Sequence, residues 1–320
     1  MKKIKYIARI KRYNPDTKES YWQDFPVEVE DSLTVLELLM YIKDKIDGSL
    51  TFRAFCRSAI CGSCAMVING RAGLSCKIQA KDKIRNGVIR IEPLHHLPVV
   101  KDLVVDQEPA FDKFKKIKPY LVPDPKKVPD SLNSESLVTP EEFKLYDKQT
   151  DCILCMACYG SCNALEGEEK YLGPFQLTKA FRFIADSRDG VDIEERIKLV
   201  EDHGIWDCVQ CQMCLAACPK GIKPAEDILE LRRIAKDSGE DNPGTRRAKH
   251  WFADVFATGQ IDKWHLPENA FGDEVGKEMT KQLEEEFRAR GLKEEEFGPQ
   301  PFDGIEQFQK FLKRLVKEAE

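Results

Sequence analysis

FRAFCRSAICGSCAMVINGRAGLSC, residues 52–76, places Cys56, Cys61, Cys64 and Cys76 at the spacing C-x4-C-x2-C-x11-C. Its opening follows the plant-type [2Fe-2S] order, in which three thiolates on one loop and a fourth after the next turn converge on two irons. Gly62 and the small residues Ser58, Ala59 and Ser63 let backbone N–H groups approach the sulfides, and such hydrogen bonds tune a cluster's potential. The competing reading is a structural zinc site. Zinc motifs usually pair C-x2–4-C knuckles instead of crowding three cysteines behind a C-x4-C opening.

The sequence on either side reads as strands around one helix. Ile4, Tyr6, Ala8 and Ile10 alternate with polar neighbours, as do Phe25, Val27 and Val29, which predicts a hairpin of half-buried strands. Thr34 with Glu37 makes a capping box, and Leu38, Leu39, Ile42 and Ile46 supply an apolar stripe for a helix of about three turns. Ala65 to Ile68 is a short strand stopped by the turn Asn69-Gly70, and Val88 to Ile91 a final strand ended by Pro93. Residues 1–105 therefore read as a β-grasp [2Fe-2S] ferredoxin-like domain.

From Val99 to Pro140 the periodicity fades and Pro109, Pro119, Pro123, Pro125, Pro129 and Pro140 recur, which predicts a crossover instead of a sheet or helix interior. Residues 106–140 are assigned as a Pro-rich linker, with Phe111 and Phe114 expected to pack on a neighbouring surface. Beyond it, Cys152, Cys155, Cys158 and Cys162 stand as C-x2-C-x2-C-x3-C. Cys208, Cys211, Cys214 and Cys218 repeat the pattern before Pro219. This is the bacterial ferredoxin run, whose fourth cysteine serves the other cluster. Crossed ligation then gives one [4Fe-4S] set of Cys152, Cys155, Cys158 and Cys218, and a second of Cys208, Cys211, Cys214 and Cys162. Leu177, Ala180, Phe181 and Ile184 keep helical spacing between the runs, as do Ile193, Ile197 and Val200. After Pro224, Ile228, Leu231 and Ile234 mark another helix ending near Gly239. Residues 141–238 form an all-α domain with two cluster motifs, and the chain as a whole is α+β.

The wider composition agrees. Of 320 residues, 42% are hydrophobic and 33% charged, as in a soluble globular chain, and the formal charge of -5 offers no basic field for nucleic acid. Twelve cysteines in three groups of four suit a reducing compartment better than a disulfide scaffold. MKKIKYIARIKRY has no apolar signal-peptide core and no stretch is apolar enough to span a bilayer, so membrane attachment is expected through partners. There is no dinucleotide fingerprint, no H-E-x-x-H helix and no G-x-S-x-G elbow, which places flavin and substrate chemistry on another chain. Arg53, Arg57, Lys77, Arg182 and Arg188 lie near the cysteines and read first as solvated charges. His95, His96 and His203 form no metal-binding pattern and read as core, cap or surface residues.

With these residues in view, the chain resembles the iron-sulfur subunit of succinate dehydrogenase and fumarate reductase. The resemblance rests on residues 52–77, VKDLVVD at 100–106, KPYL at 118–121, CILCMACYGSC at 152–162, YLGPFQLTKAFRFIADSRDG at 171–190 and CVQCQMCLAACPKGIKP at 208–224. It implies a bridge carrying single electrons between a flavoprotein with covalent FAD, where succinate and fumarate interconvert, and a quinone-linked membrane component. The direction would be that of the tricarboxylic acid cycle or of anaerobic respiration. Two departures stand out. The family usually has a non-cysteine residue where Cys211 stands and holds a [3Fe-4S] cluster there; it also has Pro and Trp after the first run and a His after the first cysteine of the second, where this chain has Asn163, Ala164, Leu165 and Val209.

Residues 239–320 exceed the usual family length. NPGTRRAKHWFADVFATGQIDKW, 242–264, resembles the tail of the iron-sulfur subunit of heterodisulfide reductase, and two charged helices follow, the second with Ile305, Phe308, Phe311, Leu312 and Leu315 on one face. The extension is expected to be helical and to pack on its own domain or bind a partner. The combination resembles the branch of the family whose third subunit is a cysteine-rich, heterodisulfide-reductase-like protein in place of a haem-bearing anchor. The leading expectation is electron transfer in a succinate:quinone or quinol:fumarate oxidoreductase. The alternative is a thiol-dependent fumarate reductase or another heterodisulfide-reductase-like flavoprotein complex, with a structural zinc protein as a distant third. The expected location is peripheral, on the cytoplasmic side of the inner membrane, or periplasmic by co-export with a partner.

Overall fold

The computed structural model describes residues 3–124, 135–239, 241–292 and 301–319. Pro125 and Pro129 of the expected linker lie outside the described residues, as does the side chain of Leu315. The chain divides into two compact units, Met1–Leu231 and Arg232–Glu320.

The first unit begins with β1 (Lys3–Asn14) and β2 (Glu19–Glu30), paired antiparallel with Tyr6 opposite Val27 and Ala8 opposite Phe25. The alternation in sequence becomes alternation in space: Tyr6, Ala8, Ile10, Phe25, Val27 and Val29 all point inward. β3 (Ala65–Ile68) and β4 (Arg71–Leu74) form a second hairpin across Asn69-Gly70, both at positive φ. With β5 (Val88–Glu92) parallel to β1, the sheet order is β2-β1-β5-β3-β4. α1 (Val35–Lys45) starts at a closed capping box, Glu37 N–H donating to Thr34 Oγ1 at 3.2 Å and Thr34 N–H to Glu37 Oε2 at 2.7 Å. Val35, Leu36, Leu38, Leu39 and Ile42 are buried beneath it, each such side chain contributing about 1.5–3 kcal/mol. Ile46, expected in that stripe, is the helix C-cap and 49% exposed.

The stretch after Val99 corrects the expectation of a crossover without sheet or helix. β6 (Val99–Lys101) and β7 (Val104–Val105) form a two-stranded ribbon, and α2 (Glu108–Lys116) follows. Pro109 lies in the first turn of α2, where a missing N–H costs nothing, so it starts a helix instead of breaking one. The ribbon is fastened to the sheet by a buried pair, Arg12 Nε donating to Asp102 Oδ1 at 2.8 Å, while Asp102 Oδ2 accepts the Thr51 N–H at 2.9 Å. Phe114 packs its ring 5.7 Å from Phe175, and Phe111 sits 6.5 Å from Phe114, as the reading of the linker required.

The remainder of the unit is helical: α3 (Pro140–Lys144), α4 (Asp147–Thr150), α5 (Ala164–Gly167), α6 (Pro174–Ile184), α7 (Ile193–Val200), α8 (Met213–Ala217) and α9 (Pro224–Asp237). Leu177, Ala180, Ile197, Val200, Ile228 and Leu231 are buried, whereas Ile193, at the start of α7, stays 47% exposed. Arg196 on α7 is a buried clamp, bonded to Asp189 at 2.7 Å and to the carbonyls of Lys118 and Tyr120 at 2.8 and 2.9 Å. That clamp holds residues 118–120 against α7.

The second unit contains the later part of α9 with α10 (Pro243–Thr258), α11 (Leu266–Phe271), α12 (Asp273–Ala289) and α13 (Ile305–Ala319). Asn242 caps α10 in a closed box with Thr245. Trp264 is buried, its Nε1 donating to Glu284 at 3.0 Å and its ring 5.6 Å from that of Phe287. On α13, Ile305, Phe308 and Leu312 are half-buried and Phe311 is exposed. Among the described residues, no helix is long and apolar enough to cross a membrane.

Candidate iron-sulfur centres

The loop from Cys56 to Cys64 is shaped by residues in the left-handed region, Arg57, Ala59 and Gly62. Alternating backbone handedness turns successive N–H groups to one side, which makes a concavity for negative charge. The N–H groups of Ser58, Ile60 and Cys61 donate to Cys56 Sγ at 3.4, 3.4 and 3.3 Å, and that of Ala59 donates to Cys76 Sγ at 3.3 Å. The Ser58 bond leads the others in drawing the Cys56 thiol down to about 6. Burial dominates at Cys76, beside Cys64 and Cys56, and pushes its thiol up to about 11. All four cysteines expected of the first centre are thus brought together. The donor set fits a [2Fe-2S] core, since the cage is built to hold thiolates.

The two later runs repeat one backbone device. Leu154 and Met156 in the first, and Gln210 and Gln212 in the second, occupy matching places between cysteines and are all left-handed. Cys152 lies close to Cys218, and Cys158 neighbours Cys155, Cys152 and Cys218. Cys162, from the first run, instead faces Cys208 and Cys211, and Cys214 faces Cys208, Cys162 and Cys211. The four cysteines of the second crossed set line one small depression with Ala164, Tyr171, Pro174, Val209, Gln212, Ala225 and Ile228. Burial pushes Cys155 up to about 11, Cys214 to about 12, and Cys158 well above its usual range. Buried thiols of this kind hold their protons until a cation replaces them, and iron is such a cation. The buried Tyr171 lies against Cys208 and Cys162.

The three sets adjoin in series. A Cβ on Gly62, in the first loop, would lie 2.9 Å from Cys155 Cβ and 3.0 Å from its Cα, so glycine is what allows that loop to touch the first run. Lys77 Nζ, next to Cys76, donates to the Pro219 carbonyl, next to Cys218, at 3.1 Å. Cys158 and Cys214 are neighbours across the two crossed sets. At the ends of the series the surface is apolar: Phe55 is 82% and Ile60 63% exposed beside the first set, and Val209 is 63% exposed beside the exposed Cys211.

Other candidates have plainer roles. Arg182 and Arg188 both pair with the buried carboxylate of Asp186, at 2.9 and 2.8 Å. His95 stands 3.9 Å from Glu92, His96 3.7 Å from Glu166 and His203 3.7 Å from Asp207. Sequence reasoning missed Tyr171, Lys179 and Asp227, which reach the cysteines only through tertiary packing; the contact of Gly62 had one signal, a glycine inside a ligand loop.

A β-grasp sheet bearing one cysteine loop and a helical region bearing two crossed runs define a multicentre iron-sulfur electron carrier. Comparison with known proteins carries this further. Residues 7–112 match the model of a 2Fe-2S iron-sulfur cluster binding domain, and residues 148–222 that of a 4Fe-4S dicluster domain. The chain is 37% identical over 260 residues to the 8-methylmenaquinol:fumarate reductase iron-sulfur subunit of Wolinella succinogenes, covering 78% of this chain and 80% of that one. It is 36% identical over 230 residues to the fumarate reductase iron-sulfur subunit of Mycobacterium tuberculosis, covering 72% and 92%. In structure it is similar to a chain of the Mycobacterium smegmatis Sdh1 complex, with TM-score 0.67 and 26% identity over 75% of this chain and 99% of that one. The chain belongs to the family of succinate dehydrogenase and fumarate reductase iron-sulfur subunits. It is an electron-transfer subunit of that oxidoreductase class, with [2Fe-2S] and [4Fe-4S] clusters as cofactors and a peripheral place in a membrane-associated complex.

Proposed function

We propose that the chain relays single electrons between the FAD of a succinate- and fumarate-converting flavoprotein and a quinone-linked subunit. The observation that carries this is the serial contact of the cysteine sets, Gly62 on Cys155 and then Cys158 beside Cys214. Cys56, Cys61, Cys64 and Cys76 would hold the [2Fe-2S] core. Cys152, Cys155, Cys158 and Cys218 would hold the first [4Fe-4S], and Cys162, Cys208, Cys211 and Cys214 the second. When bound, these clusters supply one-electron redox chemistry. The chain's own part is to exclude water from the buried thiolates, to donate backbone N–H bonds to sulfur and to hold neighbouring sets in contact. The name of the Wolinella relative supports fumarate reduction by a quinol.

The third subunit we assign to the cysteine-rich, heterodisulfide-reductase-like class, docked on the distal face around Cys211 and on residues 239–320. Asn163, Ala164, Leu165 and Val209 support this, because they provide neither the Trp nor the His of the usual quinone pocket. The complex would lie on the cytoplasmic side of the inner membrane, or across it by co-export with a signal-bearing partner. Anaerobic iron and acid-labile sulfide analysis against protein content is the first test, with ten irons per chain expected from the three ligand sets. About nine irons with a three-iron signal would remove Cys211 from the ligands, and dominant zinc would overturn the reading. Quinone reactivity of the purified complex separates it from a thiol-dependent fumarate reductase.

A further inference from the structure

The geometry points to a pair of opposed charges, Lys179 on α6 and Asp227 on α9, that sets the reduction potential of the centre built on Cys152. Asp227 is 4% exposed. Its Oδ1 accepts the Gln149 Nε2 amide at 2.7 Å and its Oδ2 the Thr178 hydroxyl at 2.8 Å. Both donors are neutral, and among the described residues no Lys, Arg or His lies within ion-pair distance of it, so its charge is solvated by dipoles alone. Burial pushes this carboxyl up to about 6, which leaves it ionised at pH 8. The adjacent Glu226 adds a weaker repulsion and is itself paired with Lys223 at 2.8 Å.

Lys179 follows Thr178 on α6 and is half-buried. Its Nζ donates to the Gln149 carbonyl at 3.1 Å, and the same carbonyl accepts the Cys152 N–H at 3.4 Å. Gln149 therefore touches all three participants: cation and cysteine through its carbonyl, carboxylate through its amide. At Cys152 the two charges act in opposite senses, Lys179 favouring the thiolate and Asp227 opposing it. An added electron makes a cluster more negative, so Lys179 favours reduction and Asp227 resists it, both through a poorly screened interior. Neither is a ligand; each is a positioning charge. The inference rests on the assignment of Cys152 to the first [4Fe-4S] set.

The test is potentiometric titration of the whole anaerobic complex at pH 8, followed by electron paramagnetic resonance, with iron counted in every sample. Asp227→Asn is expected to raise the potential of the first [4Fe-4S] centre and Lys179→Met to lower it. Each shift would change the reduced-to-oxidised ratio about tenfold at fixed poise, or about 59 mV. The [2Fe-2S] potential is expected to stay in place. Shifts in the same direction, no shift at full iron content, or loss of the first centre in either variant would overturn the proposal. Absence of that centre from the unmodified complex would instead reject the ligand assignment, and the proposal with it.

Discussion

Gly62→Ala probes the contact between the first cysteine loop and the first helical run. Gly62 has φ +75°, and its added methyl would meet Cys155 Cβ at 2.9 Å, Cys155 Cα at 3.0 Å and the Ile153 carbonyl at 3.1 Å. Two of these are backbone atoms, so no side chain can swing aside. Forcing an alanine into the left-handed region costs about 1–2 kcal/mol. Overpacking against a fixed wall adds about 1–3 kcal/mol, for a total of about 2–5 kcal/mol. Gly70 supplies the control: its φ is +76° and its methyl would meet nothing within 4 Å, so Gly70→Ala carries the backbone cost alone. The assay is the rate at which the visible circular dichroism of the [2Fe-2S] centre decays at fixed temperature, because cluster loss is irreversible and stability is read as a rate. Gly62→Ala is expected to decay about tenfold or more faster than Gly70→Ala, since each 1.4 kcal/mol expressed in the unfolding barrier is tenfold. Equal decay rates in the two variants would refute the claim that this glycine is required by the approach of two loops.

Other expectations follow from the same geometry. Cys211→Ser is expected to leave the [2Fe-2S] centre intact and to turn the second [4Fe-4S] signal into a three-iron signal or abolish it; an unchanged spectrum at full occupancy would exclude Cys211 as a ligand. Cys56→Ser is expected to remove the [2Fe-2S] spectrum while the helical region keeps its iron, which metal analysis with electron paramagnetic resonance would show. Arg12→Met leaves Asp102, 2% exposed, without its cation, and is expected to destabilise the first unit by about 3–5 kcal/mol. Denaturant melts settle the point: a loss no larger than that of an exposed pair, about 0–1 kcal/mol, would mean that the ion pair is not what fastens the ribbon.

Local signals in the sequence carried much of the architecture. The alternation from Tyr6 to Ile10, the Thr34–Glu37 box and the Asn69-Gly70 turn each depend on residues a few positions apart, and each formed as read. Cysteine spacing carried the likeness of the two helical runs, whose left-handed residues recur at matching places between cysteines, because handedness there is a property of the short loop itself. The region after Val99 was misread because Pro109 marks either a break or a first helical turn, and only packing of α2 decides which. Ile46 and Ile193 kept the right period yet sit at helix ends, where the buried stripe has turned toward solvent. Arg12 with Asp102, and Asp227 with Gln149, join residues far apart in the chain, and no local pattern announces them.

The interleaving of the two helical runs bears on how the protein comes to be made. On the crossed assignment, a growing chain that has emerged only as far as Cys162 holds three cysteines of one set and a single cysteine of the other; the second enclosure cannot close until Cys214 is out, nor the first until Cys218 follows four residues later. The first loop waits for nothing, since Cys76 completes it early and its hydrogen-bonded cage lies within residues 56–76. Synthesis would therefore divide metal loading into an early event at the amino-terminal loop and one late event for both remaining sites together. Chains arrested before Cys208 are expected to carry two irons and no stable partial content beyond them, and intermediate loading of six irons in such chains would show that the sites fill independently.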